Sequence, residues 1–200
     1  DISLFYDNTT ESGQGLRAGV ALSNLGSKIS YTNDAQQKDY IPANFGVGVT
    51  YTSAFDESSK LTYGIEFNKL MVPTPPLPSD PTNFVADSTA LANYRSKGVV
   101  SSWFSSFGDA GSFKNELAEF QVGVGAEYSY NNQFFVRGGY FYEDKTKGNR
   151  KFFTAGVGVT YNVFGLNFSY LIPSGSGVNR NPLSNTLRFS LLFNFDAGDK

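Results

Sequence analysis

Arg17, Glu66, Glu127, Arg137 and Arg188 are charged side chains in the middle of apolar-rich stretches of this 200-residue chain. The sequence holds no histidine and no cysteine. That removes the usual general base, the commonest metal ligand and all thiolate chemistry. A Ser-His-Asp site is impossible, and an enzyme would have to work with carboxylates, hydroxyls or lysine alone. We therefore expect no catalytic residue, no metal and no cofactor, and read the charges as pairing groups. Glu127 and Arg137 flank a loop at Asn131 to Gln133. A three-residue loop sets 127 directly opposite 137 and puts both side chains on one face of a hairpin, so an ion pair is expected there.

The elements that must position these charges are strands. ELAEFQVGVGAEYSY, FFVRGGYFY, KFFTAGVGVTYNV, LNFSYLIP and NTLRFSLLFNF alternate apolar and polar residues from Glu116 to Phe195. Period-two alternation means one wet and one dry face. Three earlier strands are GLRAGVALSNL, NFGVGVTYTSAF and LTYGIEFNKLMV, and Ile2, Leu4 and Phe5 read as the end of a preceding one. By parity all five mid-strand charges lie on the wet face. Lys69 falls on the dry face at a strand end, where it could snorkel.

Composition separates this sheet from a soluble one. Charged residues make up 17%, aromatics 16%, and there are 21 glycines, against a soluble norm of about 25% charged and ~7% glycine. No apolar run approaches the ~20 residues of a membrane-spanning helix, and the mean hydropathy is −0.27. A strand-built membrane protein tolerates that value because half of every strand faces a polar interior. A net charge of −2 gives no support for nucleic-acid binding. The fold class expected is all-β, a transmembrane antiparallel β-barrel, with residues 1–195 as one outer-membrane domain, 72–115 as a loop insertion and 196–200 as a tail.

Connections alternate in length. DESSK, Asn131 to Gln133 and Phe164-Gly165 are short and would be periplasmic; Lys28 to Ile41, Val72 to Asn115, Glu143 to Arg150 and Ser174 to Ser184 are long and would be extracellular. Glu127–Arg137 would then be a lumenal ion pair, and Arg17, Glu66 and Arg188 further lumenal charges. Inward glycines such as Gly46, Gly48, Gly123, Gly125, Gly139, Gly156 and Gly158 would leave voids in a narrow eight-stranded tube, which suggests the last eight strands of a larger barrel.

The long third loop contains a helical stretch between Asp87 and Phe107, as one helix or two, with Gly108 as the stop. Its apolar residues exceed what a solvated loop tolerates. Leu77, Phe84, Trp103, Phe104 and Phe107 are the candidate partner-binding residues, since aromatic anchors are favoured in interfaces. Trp103 and Phe107 could equally pin the loop over the barrel mouth. Arg150, Lys151, Arg180 and Asn181 are weaker candidates for contacting a partner or lipopolysaccharide phosphates.

Four phrases carry a resemblance: NKLMVPTPPLP, SSFGDAGSFKNELAEF, VGAEYSYNNQFFVRGGYFYEDKTKGNRKFFTAGVGVTYNVFGLNFSYLIP and NPLSNTLRFSLLFNF. Together they resemble the carboxy-terminal portion of the PorV (LptO) family, outer-membrane components of the type IX secretion system of Bacteroidota. ALSNLGSKISYT is similar to the broader FadL-like barrels. The resemblance implies a fourteen-stranded FadL-like barrel of which this chain supplies about eight strands. It also implies a non-enzymatic carrier that collects cargo proteins through their carboxy-terminal domain at the SprA (Sov) translocon and hands them to the PorU attachment complex. Outer-membrane lipid and lipopolysaccharide are expected surroundings, and nucleic acid is not an expected partner. The alternative is a FadL-like channel for hydrophobic small molecules.

Overall fold

The computed structural model describes residues 1–30, 38–76, 84–174 and 186–194. Eleven strands and three helices follow one another along them. The strands are β1 (Ile2–Thr9), β2 (Gly15–Ser23), β3 (Ile29–Ser30), β4 (Lys38–Asp39), β5 (Asn44–Ala54) and β6 (Ser59–Leu70), then β7 (Gln121–Tyr130), β8 (Phe134–Tyr142), β9 (Lys151–Tyr161), β10 (Phe164–Pro173) and β11 (Leu187–Phe193). The helices α1 (Phe84–Ser96), α2 (Val99–Ser105) and α3 (Phe113–Ala118) lie between β6 and β7. Nine strands form one sheet in the order β1, β2, β5, β6, β7, β8, β9, β10, β11, while β3 and β4 make a small separate ladder. Among the described residues nothing pairs β1 with β11, so this sheet is open.

Registers from β7 to β11 sort the side chains into two faces. One row across the strands reads Tyr128, Val136, Val157, Phe168, Phe189, and the next reads Tyr130, Phe134, Val159, Leu166, Leu191. On the other face the rows read Glu127, Arg137, Gly156, Ser169, Arg188 and Ser129, Phe135, Gly158, Asn167, Ser190. The apolar face is bare: Val136 is 58% exposed, Leu191 60% and Phe189 68%. Ala43 and Met71 are the only buried hydrophobic residues among those described. The apolar side of β7 to β11 is thus exposed along its length.

Several boundaries differ from those read in the sequence. Residues 2–9 form a complete strand, so the large sheet has nine members, not eight. Phe164 and Gly165 belong to β10, opposite Tyr161 and Thr160, and the turn is Asn162-Val163. Asn162 takes the left-handed conformation that such a tight turn requires, with φ at 52°. β7 begins at Gln121, and not at Glu116, because Glu116 to Ala118 are helical in α3. Ser112 caps that helix, its hydroxyl accepting from the Asn115 N–H, which satisfies one of the orphan donors of the first turn. The stretch Asp87 to Phe107 resolves into two helices, with Gly98 in extended backbone at φ −62° and ψ 146° as the N-cap of α2.

Two compact units are present. One comprises Asp1–Ser3, Ala21–Gly46 and Asn68–Phe120; the other comprises Leu4–Val20, Val47–Phe67 and Gln121–Lys200.

Candidate functional site

In the unit that contains most of the sheet, the register sets Glu127 opposite Arg137. The guanidinium Nε donates to Glu127 Oε2, and Nη1 donates to Asn167 Oδ1 at 2.6 Å. The guanidinium carbon also lies 5.1 Å from the centre of the Phe135 ring. A fork with three acceptors of attraction has little freedom to swing. Arg17 pairs with Asp7 at 3.0 Å, Arg188 lies opposite Ser169, and Glu66 has no hydrogen-bond or ion-pair partner among the described residues.

Several glycines on this face are seats for neighbouring side chains. A Cβ on Gly123 would lie 2.8 Å from both Cγ and Oε1 of Glu66. One on Gly158 would lie 2.6 Å from Asn167 Oδ1 and 3.1 Å from Arg137 Nη1. Gly46 lies under Asn68 and Gly139 under Thr154 in the same way. The polar side chains lie flat across the sheet because these positions carry none of their own. What remains open is a concavity of about 530 Å³ between β5 and β9, lined by Gly48, Gly64, Glu66, Gly123, Glu127 and Arg137 among others.

The loop after β8 is closed by a buried carboxylate. Glu143 accepts from Arg150 Nε at 2.7 Å and Nη2 at 2.8 Å, and from Gln121 Nε2 at 3.0 Å. Arg150 is thus paired within its own loop, with its side chain 46% exposed. Burial pushes the Glu143 carboxyl up, but the Arg150 hydrogen bonds and charge outweigh it and hold the group below its ordinary 4.5. Asp144 is lowered too, by the backbone and hydroxyl of Thr146. A carboxyl depressed on folding stabilises above its unfolded pKa and loses that contribution as pH falls through the folded value. Acidification from pH 7 to about 3 is therefore expected to open this loop, seen as lower protection factors, exchange rates being taken relative to their intrinsic values at each pH, for the Lys147 and Asn149 amides, which donate to Asp144 O. Glu143→Gln should open it partly already at pH 7 and flatten the remaining dependence.

The other unit holds the helices. Lys69 does not snorkel: its side chain is fully buried, its ammonium bound to Glu119 and 3.6 Å from Glu116. The Phe107 and Phe120 ring centres lie 5.4 and 5.7 Å from it. Thr74 N–H and Oγ1 donate to Asp109, and Glu116 accepts from the Ala110 N–H at 2.6 Å. Asp109, Glu116 and Glu119 form a carboxylate trio close enough to share a cation, and Lys69 supplies that positive charge. Lys28 Nζ and Tyr40 Oη hold the end of α1, the first donating to the Arg95 and Lys97 carbonyls at 2.6 Å and the second to Tyr94 and Lys97 at 2.9 Å. A cation there also matches the negative end of the helix dipole.

Of the partner-binding candidates, Leu77 lies outside the described residues, and Phe84 opens α1. Trp103 is half-buried in α2, Phe104 on the same helix is 75% exposed, and Phe107 packs edge-on against Phe45 with ring centres 5.7 Å apart. The structure adds exposed Val100, Phe113 and Leu117. Val100 with Phe104, and Phe113 with Leu117, are pairs four apart on a helix, a spacing visible in the sequence once α3 is recognised as helical.

No curated protein matches the chain. Residues 1–77 match the model of a family described as type IX secretion system protein PorV, a stretch that overlaps the resemblance carried by NKLMVPTPPLP.

Proposed function

We propose that this chain is part of an outer-membrane β-barrel carrier of the type IX secretion system. It is non-enzymatic, binds cargo through the cargo's carboxy-terminal domain at the SprA (Sov) translocon, and delivers it to the PorU attachment complex. The observation that carries the reading is the PorV family match over residues 1–77. The bare apolar face of β7 to β11 supports the location, since strands of 9 to 11 residues in β7 to β10 suit the ~9–11 needed for a tilted crossing. In this reading the sheet is completed into a FadL-like barrel, and Arg17, Glu66, Glu127, Arg137 and Arg188 face its lumen. The turns at Asn131 to Gln133 and Asn162-Val163 are periplasmic and the helical connection is extracellular. Leu77, Phe84, Trp103, Phe104 and Phe107 belong to the surface that grips the translocon or cargo.

Replacing Trp103 and Phe104 with Ser is expected to reduce co-purification with the translocon at least tenfold while the barrel still inserts. Two lost aromatic anchors at about 1 kcal/mol or more each account for that. Undiminished co-purification from a normally inserted protein would contradict the assignment. A second reading, a channel for hydrophobic small molecules, draws on the concavity between β5 and β9; it predicts bound lipid in the purified protein and secretion that is indifferent to the Trp103 and Phe104 substitutions.

A further inference from the structure

The concavity between β5 and β9 carries an unbalanced charge. Two carboxylates, Glu66 and Glu127, and one guanidinium, Arg137, are the charged side chains that line it. Glu127 and Arg137 neutralise each other, so the charge left over is the carboxylate of Glu66, which has no partner among the described residues. Its seat is built: Gly123 lies beneath its Cγ and Oε1, where a Cβ would come within 2.8 Å, and Gly48 beneath its Cβ at 3.7 Å. Beside it the lining is apolar. Phe141 and Phe152 stack at 4.9 Å with their planes 12° apart, and both line the space. The guanidinium of Arg150 over Phe141, 5.5 Å from the ring centre, is neutralised by Glu143 and does not cancel Glu66. A volume of about 530 Å³ falls in the range of small-molecule sites, which combine apolar walls with a few fixed polar groups.

We propose that this concavity binds a small organic cation: an ammonium group that pairs with Glu66, carried on a short aryl or alkyl stem that lies over the glycines and against Phe141 and Phe152. The inference does not rest on the carrier reading, and neither requires the other. An anionic ligand would meet Glu66 with no free cation in the lining, and a neutral one would leave the carboxylate unpaired.

The test uses the whole protein in phosphatidylcholine nanodiscs, with empty nanodiscs subtracting partition into lipid. 2-Phenylethylammonium is titrated against 2-phenylethanol and 3-phenylpropanoate, with binding read by ligand-detected NMR. The ammonium is expected to bind roughly three- to tenfold tighter than the alcohol, the range for a partly solvated ion pair, and the carboxylate weakest. Glu66→Gln, which keeps the shape and removes the charge, is expected to erase the ammonium's advantage, whereas Glu57→Gln in the β5–β6 turn leaves it intact. Equal affinity of ammonium and alcohol in the unaltered protein, a comparison that needs no variant to fold, would overturn the proposal. Full retention of ammonium binding by Glu66→Gln would overturn it as well.

Discussion

Val157→Arg is expected to cost about 2–4 kcal/mol of folding stability in a lipid bilayer, the penalty for arginine at the lipid face of a barrel near the midplane. Val157 sits mid-strand in β9, is 50% exposed, and has Val136 on one side and Phe168 on the other. An arginine there has no polar neighbour in its row. Thr154, three residues earlier on β9, lies opposite Gly139 on the polar face, and Thr154→Arg is expected to cost less than about 1 kcal/mol because its head reaches water or Glu127. Urea unfolding in liposomes measures both. Equal losses for the two variants would mean that the faces do not differ in what they meet.

Lys69→Ala is expected to disorder the helical connection while the strands stay paired. The ammonium is fully buried and neutralises Glu116 and Glu119, whose side chains are only 15% and 14% exposed. Removing one partner of a buried ion pair leaves uncompensated charge and costs about 3–5 kcal/mol. Amides of α3 and of Phe107 to Phe120 should then exchange about 100-fold faster or more, since 1.4 kcal/mol is a factor of ten. Combining Lys69→Met with Glu119→Gln should recover part of the loss, because the carboxylate is removed together with its cation. Unchanged exchange in Lys69→Ala would show that the cluster does not hold the helices.

The long strands were legible because β-period patterns are local: every second residue from Phe134 to Tyr142 or Phe153 to Tyr161 declares its face. The register at Glu127 and Arg137 followed from parity and loop length alone. β1 was hidden because Phe5 and Asp7 share a parity, so ISLFYDNT does not alternate cleanly; Asp7 there answers Arg17 on β2. KNELAEF was ambiguous in another way, as Ala118 and Phe120 continue the alternating row of Val122 and Val124 while Phe113 and Leu117 fit a helix, and the Ser112 cap decided it. Lys69 could not be placed locally, since its partners are supplied 47 and 50 residues later by α3 and the residue that follows it. The glycines were visible, but what lies over each depends on the strand beside it, as with Glu66 of β6 over Gly123 of β7.

A nitroxide scan of β9 tests most directly whether one face of this sheet meets lipid. The chain has no native cysteine, so single cysteines introduced from Phe152 to Thr160 can each be labelled without background and reconstituted in liposomes. The account predicts that oxygen accessibility exceeds that of a water-soluble nickel chelate at 153, 155, 157 and 159, and that the order reverses at 154, 156, 158 and 160. A flat profile along the strand, or chelate access at Val157 equal to that at Thr154, would contradict it.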